Sequence, residues 1–251
     1  MTYNIHKCIG GVDRRYQPER IVETIAHYAP DVVLLQEVDD GAPRSRRDRQ
    51  IDLLGDSLGF EHRAYQANVR LKYGVYGNSI LSRWPLQETH DVDLTIWPKK
   101  RRRAQVVKLH VSEHAHPDSG YASTRTVIVA NVHLGLAAFE RRRQLRMLLA
   151  HETLAHARRR TATIVAGDFN DLWQNLGNGH LGRNQFQSAL DRVKTFPAVL
   201  PLRRLDGIYH RGDLRVVRGF VGHTELSKQA SDHLPAIAEF SVGSAQSPIA
   251  G

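Results

Sequence analysis

The segment Thr163-Ile-Val-Ala-Gly-Asp-Phe-Asn170 contains the pattern from which we infer the fold. It begins with β-branched and small apolar residues, in a run too short for a helix, which is typical of a strand buried on both faces. The run ends directly in the acid Asp168, and the amide Asn170 follows two residues later. A polar residue at the end of one strand is common, but each such buried group costs about 1–3 kcal/mol unless it is paired, so several of them on separate strands would indicate a site.

The pattern of a short apolar run that ends in a polar residue occurs twice more along the chain. Thr126-Val-Ile-Val-Ala-Asn-Val-His133 predicts a buried strand that ends in a histidine, and Asp31-Val-Val-Leu-Leu-Gln-Glu37 predicts one that ends in an acid. A long helix is predicted over residues 139–156. Another helix is predicted from Pro18, at a first helical position, to Pro30, which closes the segment.

The other apolar runs complete the predicted fold. They indicate a helix from Ile51 to Leu58 and strands over residues 77–82, 205–209, 214–220 and 235–242. Several strands follow one another as hairpins between residues 77 and 111, unlike a plain alternating α/β protein. We therefore predict an α/β fold of four layers, an α/β/β/α sandwich of two mixed sheets with the helices outside. One domain is expected over residues 1–242, followed by a flexible tail over residues 243–251.

The composition excludes several classes of protein. With 251 residues, 41% of them hydrophobic, the chain buries a sizeable core and is not disordered. The single cysteine, Cys8, forms no internal disulfide, and no apolar run reaches the roughly 20 residues of a membrane-spanning helix. We expect no integral membrane segment and a monomer. Because residues 1–6 lack a basic start followed by an apolar stretch, the default location is cytoplasmic.

The charge predicts an anionic partner. There are 35 Lys and Arg against 26 Asp and Glu, a formal charge of +9, which favours nucleic acid, a phosphorylated metabolite or anionic lipid. Much of this charge is clustered over residues 44–49, 99–103, 141–146 and 158–160. Solvation explains such clusters without a ligand, but the five successive cations of residues 99–103 repel one another unless something anionic binds.

Polar residues gather at the ends of the predicted strands. They are Asn4, Glu37, Asn78, His133, Asp168, Asn170, Asp206, Asp232 and His233. Convergence on one site explains them best. Oxygen ligands without cysteine suit Mg²⁺, whereas a cysteine cluster or an HExxH pattern that would indicate zinc is absent from the sequence. Together with histidines that titrate near neutrality, the set predicts metal-assisted phosphoester hydrolysis by in-line attack of water.

Short motifs in this set resemble the motif series of a known family. They are Thr2-Tyr-Asn-Ile-His6, Leu35-Gln-Glu-Val38, Gly77-Asn-Ser-Ile-Leu-Ser-Arg83, Asn131-Val-His-Leu134, Gly167-Asp-Phe-Asn170, Leu205-Asp-Gly-Ile208 and Ser231-Asp-His-Leu-Pro235. In order and spacing they resemble the endonuclease/exonuclease/phosphatase superfamily, with its deoxyribonuclease-I-like fold. The form of the first two motifs most resembles bacterial metal-dependent hydrolases. In such proteins a longer strand precedes the residue matching Asn4, so an upstream signal or anchor stays open.

The resemblance implies a metal site. Glu37 resembles the principal ligand of Mg²⁺, for which Mn²⁺ is a possible substitute. Asn4 would lie beside it and orient a phosphate or a metal-bound water. Asp232 would assist metal binding from the far side. His6, two residues after Asn4, is either a contact to phosphate or metal or a structural histidine.

The resemblance also implies catalytic roles. Asp168 and Asn170 would position the attacking water and a phosphate oxygen. His233 and Asp206 would form an acid–base dyad in which the carboxylate fixes the imidazole tautomer. His133 would stabilise the phosphate or the leaving oxygen, although the supporting glutamate expected near residues 73–76 is absent.

Two residues are candidate substrate contacts of a different kind. Asn78 follows a glycine and is either a phosphate contact or a turn residue. Arg103 ends the basic run and would hold phosphate if that run flanks the cleft.

Three functions remain open from the sequence. The first is a Mg²⁺-dependent phosphodiesterase or nuclease. The second is a phosphatase or phospholipase-type hydrolase of a small or lipid phosphoester, which Trp97 beside the basic run favours because aromatic and basic residues together suit a membrane interface. The third is a non-catalytic scaffold of the same fold, which the complete acidic and histidine set disfavours.

Overall fold

Two six-stranded sheets form the centre of the protein. The computed structural model describes residues 1–112, 124–172, 176–191 and 193–243. The first sheet has the order β11-β12-β1-β2-β4-β3 and the second β5-β6-β7-β8-β10-β9. Their bounds are β1 Thr2–Asn4, β2 Val32–Asp40, β3 His62–Arg70, β4 Val75–Ser82, β5 Leu86–Asp93, β6 Arg103–Ser112, β7 Thr124–His133, β8 Ala162–Asp168, β9 Gln187–Ser188, β10 Asp206–Arg211, β11 Leu214–Val221 and β12 Ala236–Val242.

Each sheet is mixed because it contains one parallel pair. In the first sheet β1 runs parallel to β2, and in the second β7 runs parallel to β8; the other described pairs are antiparallel. The carboxyl ends of both parallel pairs carry the polar residues singled out in the sequence, namely Asn4, Glu37, His133 and Asp168. The topology therefore brings two separate sets of strand ends to one edge of the sandwich.

Helices cover the outer faces of both sheets. Their bounds are α1 Pro18–Tyr28, α2 Gln50–Leu58, α3 Ala138–Ala150, α4 Glu152–Ala155 and α5 Glu225–Ala230. Apolar residues of α1 and α2 pack on the first sheet around Tyr3 and Leu35, and those of α3 pack on the second around Val132 and Val165. No helix in the described residues is long and apolar enough to cross a membrane.

A third apolar layer lies between the sheets. It joins Leu34 and Ile80 of the first sheet to Val107, Val129 and Ile208 of the second. Because residues i and i+2 of a strand face the same side, β2 places Leu34 in this layer and its neighbours Val33 and Leu35 in the core beneath the helices. The continuous apolar runs of the sequence arise because both faces of these strands are buried.

The predicted α/β sandwich of two mixed sheets with flanking helices is confirmed. The long helix predicted over residues 139–156 is wrong in one respect: it is divided at His151, whose ψ of 136° is extended, into α3 and α4. The predicted tail lies outside the described residues except for Gly243.

Candidate active site

Strand register brings three of the polar strand ends together. His133 ends β7 and Asp168 ends β8, and the two residues are paired in the parallel ladder. Asp206, the first residue of β10, is paired with Asp168 in the antiparallel ladder on its other side. All three side chains are nearly inaccessible to solvent. The residues predicted from separate motifs therefore stand side by side in the second sheet.

Asp168 is the centre of the arrangement. Its Oδ2 accepts a hydrogen bond of 3.0 Å from Asn4 Nδ2, which comes from the first sheet. The same oxygen lies 3.6 Å from His133 Nε2 and 3.9 Å from His233 Nε2. One carboxylate oxygen thus has side chains from three different segments around it.

His233 and Asp206 form a buried pair. Nδ1 of His233 lies 2.8 Å from Asp206 Oδ2, while Ser231 fixes the loop by accepting from the His233 amide at 3.2 Å and donating to the Asn4 carbonyl at 2.7 Å. Burial opposes the charged imidazole, but Asp206 outweighs it and raises the pKa of His233 to about 10. The second oxygen of Asp206, Oδ1, is buried and has no hydrogen-bond partner among the described residues.

Burial acts differently on Asp168 and His133. It raises the pKa of Asp168 to about 6, against the lowering effect of His233 and of the hydrogen bonds from Asn170 and Asn4. It also lowers the pKa of His133 well below the usual range, with the positive charge of Arg102 adding to the effect. At neutral pH the site therefore holds one imidazolium, His233, and one neutral imidazole, His133.

Glu37 reaches the site through a β-bulge. The ladder between β2 and β4 shifts register between Gln36 and Val38, and Glu37 has a φ of +57°, an unusual conformation that turns its side chain out of the ladder. The ammonium of Lys7 donates a hydrogen bond to Glu37 Oε2. Burial would raise the pKa of this carboxyl, but His133 and Lys7 outweigh it and lower the pKa to about 2.

The segment after β8 is folded back onto the site. The backbone amide of Asn170 donates to Asp168 Oδ1 at 2.9 Å, and its side-chain Nδ2 donates to the Leu134 carbonyl at 2.9 Å. Asn170 has a φ of +49°. This turn joins the segments that follow β7 and β8, and within the described ranges Asn170 Oδ1 accepts no hydrogen bond.

His6 and Asp232 lie at the mouth of the site. Both are partly exposed, and His6 Nδ1 is 4.0 Å from Asp232 Oδ1. The same nitrogen lies 2.9 Å from the Ile9 carbonyl, and the His6 amide donates to Asn4 Oδ1 at 3.1 Å. His6 is therefore tied to the loop that carries Asn4, and its contact with phosphate or metal stays a prediction.

Two predicted substrate contacts, Asn78 and Arg103, make hydrogen bonds within the protein. Asn78 is fully buried within β4, and its Nδ2 donates to Gln66 Oε1 at 3.3 Å and to the Arg103 carbonyl at 3.2 Å. The Arg103 guanidinium lies 3.4 Å from the Ala67 carbonyl and 3.9 Å from Asp91. Asn78 Oδ1 is buried without a hydrogen-bond partner among the described residues, and contact of Asn78 and Arg103 with a substrate stays a prediction.

Sequence reasoning missed two contributors. Lys7 directly follows the first motif, but nothing in the sequence indicates that its ammonium reaches Glu37, thirty residues on. Ser231 opens the last motif and was not singled out, although its hydroxyl connects the His233 loop to Asn4. Within the basic run, Lys100 and Arg102 rather than Arg103 act electrostatically on His133.

The donor set fits a divalent metal ion. Ligand atoms of Asp168, Asp206 and His233 lie within 4.8 Å of one another. His233 is protonated at neutral pH and has no lone pair for a metal, so the donors are the carboxylates of Asp168, Asp206 and Glu37; Asp206 Oδ1 has no hydrogen-bond partner among the described residues. Mg²⁺ prefers such oxygen ligands. A cation already stands at Glu37 in the form of the Lys7 ammonium, which supports a site for positive charge at that carboxylate.

Known proteins are similar to this chain in sequence and in fold. A protein of Escherichia coli, uncharacterized protein YbhP, is 29% identical over 255 residues, covering 91% of this chain and 94% of that protein. The solved structure of an endonuclease/exonuclease/phosphatase from Beutenbergia cavernae is similar with a TM-score of 0.75 and 24% identity, over 96% of this chain and 70% of that one. A mannosyl-6-phosphatase from Bacteroides thetaiotaomicron is similar with a TM-score of 0.68 and 15% identity, over 96% and 98%.

The family itself is settled by a match over most of the chain. The sequence model of the endonuclease/exonuclease/phosphatase family matches residues 1–233, a range that includes every candidate site residue described above. The resemblance inferred from the short motifs is thereby confirmed. The chain belongs to the endonuclease/exonuclease/phosphatase family, whose members are phosphoester hydrolases.

Proposed function

We propose that the protein is a Mg²⁺-dependent phosphodiesterase that hydrolyses its substrate by in-line attack of water. The observation that carries this proposal is the buried pair of His233 and Asp206 beside Asp168, with His233 Nε2 3.9 Å from Asp168 Oδ2. A protonated imidazole and a carboxylate within 4 Å of each other supply a proton donor and a proton acceptor at one place. Mg²⁺, held by Glu37 with Asn4 and Asp232 nearby, would neutralise charge on the phosphate oxygens.

The protonation states of Asp168 and His233 support separate roles for them as proton acceptor and proton donor. Asp168, whose pKa is raised to about 6, is ionised at neutral pH yet basic enough to accept a proton from the attacking water. Asn170 holds that carboxylate through its amide and offers its free side-chain oxygen to the water. His233, charged at neutral pH because its pKa is about 10, holds a proton at Nε2 for a phosphate oxygen.

His133 has a different part in this proposal. Its pKa is lowered well below the usual range, so it donates one hydrogen bond as a neutral imidazole and carries no charge. We assign it to the leaving or non-bridging oxygen, where a hydrogen bond strengthens as negative charge develops. Lys7 would move from Glu37 to a phosphate oxygen when a metal ion takes its place.

A hydrolase of lipid or small phosphoesters is a second candidate. Trp97 is 88% exposed, Leu136 76% and Phe139 60%, and Lys99 Nζ lies 6.0 Å from the centre of the Phe139 ring. The Leu136 segment follows β7 directly and borders the site. Exposed apolar side chains beside cations suit the surface of an anionic membrane. The solved mannosyl-6-phosphatase has the same fold and keeps a phosphomonoester among the candidates.

Hydrolysis of model esters tests the proposal. We expect release of p-nitrophenol from bis-p-nitrophenyl phosphate with Mg²⁺ or Mn²⁺, little release from p-nitrophenyl phosphate, and none with EDTA. His233→Gln and Asp206→Asn should each lower kcat by about 10²-fold or more, whereas His27→Ala, an exposed histidine of α1, should leave kcat unchanged. A monoester preference would favour a phosphatase, and inactivity on both esters in every metal would contradict the proposal.

A panel of natural phosphoesters tests which class of substrate the protein hydrolyses. Plasmid, oligonucleotides, phospholipid vesicles, inositol phosphates and sugar phosphates are each incubated with Mg²⁺, Mn²⁺ and EDTA. Cleavage of nucleic acid alone would support a nuclease, and cleavage of vesicle phospholipid alone would support the second candidate.

A further inference from the structure

A second group of metal-ligand side chains lies away from the active site. Ligand atoms of His90, His151 and Glu152 all lie within 4.8 Å of one another. His90 belongs to β5, the edge strand of the second sheet, which β6 and β7 separate from β8. His151 stands between α3 and α4, and Glu152 begins α4. The group therefore joins the edge of the sheet to the helical layer that covers it.

The two imidazoles have nitrogens without partners. His90 Nε2 and His151 Nδ1 are both inaccessible to solvent and have no hydrogen-bond partner among the described residues. Their rings are close, with centroids 5.3 Å apart. A buried polar nitrogen without a partner costs about 1–3 kcal/mol, and a ligand bound by both rings would offset that cost.

Glu88 is the competing partner for His90, and it is already engaged. Its Oε2 lies 3.6 Å from His90 Nε2, beyond hydrogen-bonding distance, and pairs with that nitrogen only if the imidazole is protonated. The same oxygen lies 2.7 Å from Lys108 Nζ. Glu88 therefore gives a neutral His90 Nε2 no hydrogen bond, and it does not account for the unpartnered His151 Nδ1.

The backbone explains how the histidines meet. Val92 lies two residues after His90 on the same face of β5 and packs in the core under α3, so His90 also faces the helical layer. The extended ψ of 136° at His151 interrupts the helix and separates α3 from α4 at the level of this strand. The break that divides the predicted long helix thus falls on a residue of the cluster.

We propose that His90, His151 and Glu152 form a binding site for a divalent transition-metal ion of the Zn²⁺ type. Two imidazoles and one carboxylate are ligands that Zn²⁺ accepts, with water completing four-fold coordination. Imidazole ligands favour Zn²⁺, Co²⁺, Ni²⁺ and Cu²⁺ over Mg²⁺. The ion links the edge strand to the α3–α4 junction, so its expected effect is on stability and not on phosphoester hydrolysis.

Co²⁺ uptake tests the site, because Co²⁺ replaces Zn²⁺ and absorbs visible light. The full-length protein is titrated with Co²⁺ in the presence of excess Mg²⁺, and bound metal is counted. We expect His90→Ala and His151→Ala to bind one equivalent less than the parent protein. The matched control is His156→Ala, an exposed histidine at the end of α4, which should bind as the parent does. Asp206→Asn should also retain the equivalent that His90→Ala loses.

Thermal unfolding gives a second readout. At a hundredfold excess over its Kd, Zn²⁺ should raise the Tm of the parent protein by roughly 5–10 °C, and this rise should be absent from His90→Ala. Glu152→Gln, at an exposed position, keeps the fold intact and should weaken binding at least about tenfold. Mg²⁺-dependent hydrolysis by His90→Ala should equal that of the parent.

The proposal is overturned by either of two results. Equal Co²⁺ stoichiometry and affinity in the parent, His90→Ala, His151→Ala and Glu152→Gln would show that these side chains hold no metal. Equal loss in His156→Ala would show that uptake reflects scattered surface histidines.

Discussion

Asn4 donates a hydrogen bond of 3.0 Å from its side-chain amide to the Asp168 carboxylate, and this bond joins the two sheets at their active edge. Asn4 ends β1 in the first sheet and Asp168 ends β8 in the second. Both side chains are almost completely buried. An amide is the group this position requires, because it donates to the carboxylate while its own oxygen accepts from the His6 backbone at 3.1 Å.

Replacing this amide by a carboxylate should destabilise the protein in a pH-dependent way. Asn4→Asp would place two acids about 3 Å apart, and such a pair retains a proton to higher pH. The folded state then binds more protons than the unfolded state above pH 4, so its stability falls as the pH rises. We expect a loss of about 1–3 kcal/mol at pH 7 relative to pH 4, measured by urea unfolding of the metal-free protein.

The matched variant for that experiment is Asn4→Ala. It removes the hydrogen bond without adding a charge, so its loss of stability should vary much less with pH. Identical pH profiles for the two variants would contradict the proposed contact between this amide and Asp168.

The pKa of His233 should depend on Asp206. Asp206→Asn removes the carboxylate that raises the pKa of His233 to about 10, so the imidazole should titrate near or below the ordinary value of about 6.5. NMR titration of the metal-free protein measures this, with His233→Gln identifying the resonance. If the pKa of His233 were the same in Asp206→Asn as in the parent protein, Asp206 would not be the cause of its raised pKa.

The same pair should stabilise the fold over a defined pH range. Because the folded-state pKa is raised, its contribution is fully present below about pH 6.5 and is lost as the pH rises toward about 10. The stability difference between the parent protein and Asp206→Asn should therefore be largest in mildly acidic solution. If the difference in stability between the parent protein and Asp206→Asn increased from pH 7 to pH 10, the predicted pH dependence would be wrong.

Removing Lys7 should strengthen metal binding and weaken catalysis. The Lys7 ammonium occupies Glu37, so a metal ion must displace it. We expect Lys7→Met to bind Mn²⁺ about 3- to 10-fold more tightly, measured by calorimetry, while kcat/KM falls because a cation for the phosphate is missing. Lys7→Arg keeps the charge and serves as the control. Weaker Mn²⁺ binding in Lys7→Met would mean that Lys7 supports the metal site instead.

The basic run beside the site should govern binding to polyanions. Lys99, Lys100 and Arg101 are exposed, and their reversal to Glu should reduce the salt slope of DNA binding by up to about 3. Arg158, Arg159 and Arg160 are also exposed but precede the opposite end of β8, so reversing them is the matched control. If the salt slope of DNA binding is the same in the two triple variants, the surface formed by residues 99–101 does not bind nucleic acid.

Much of the fold followed from local patterns. The apolar runs ending at Glu37, His133 and Asp168 identified three strands that the structure contains, because strands buried on both faces leave continuous apolar runs. The break at His151 was not predicted, because neither glycine nor proline marks it in the sequence and the ψ of one residue decides the division.

The candidate site was only partly predictable. The residue types and their positions at strand ends indicated a hydrolytic metal site, and the family follows from the sequence alone because its motifs keep their order along the chain. The sequence did not indicate that Asn78 Nδ2 donates to Gln66 or that the Arg103 guanidinium lies 3.9 Å from Asp91. A strand end shows where a side chain starts but not which of its neighbours it reaches.

The sequence by itself determined the family, the two-sheet architecture and the set of acids, amides and histidines available for chemistry. Only the tertiary structure decided which of them meet. The parallel register of β7 and β8, the bulge at Glu37 and the Asn4–Asp168 bond place the groups within a few ångströms. The cluster of His90, His151 and Glu152 arises in the same way. Such contacts join residues far apart in the chain, and local sequence carries no measure of the distances between them.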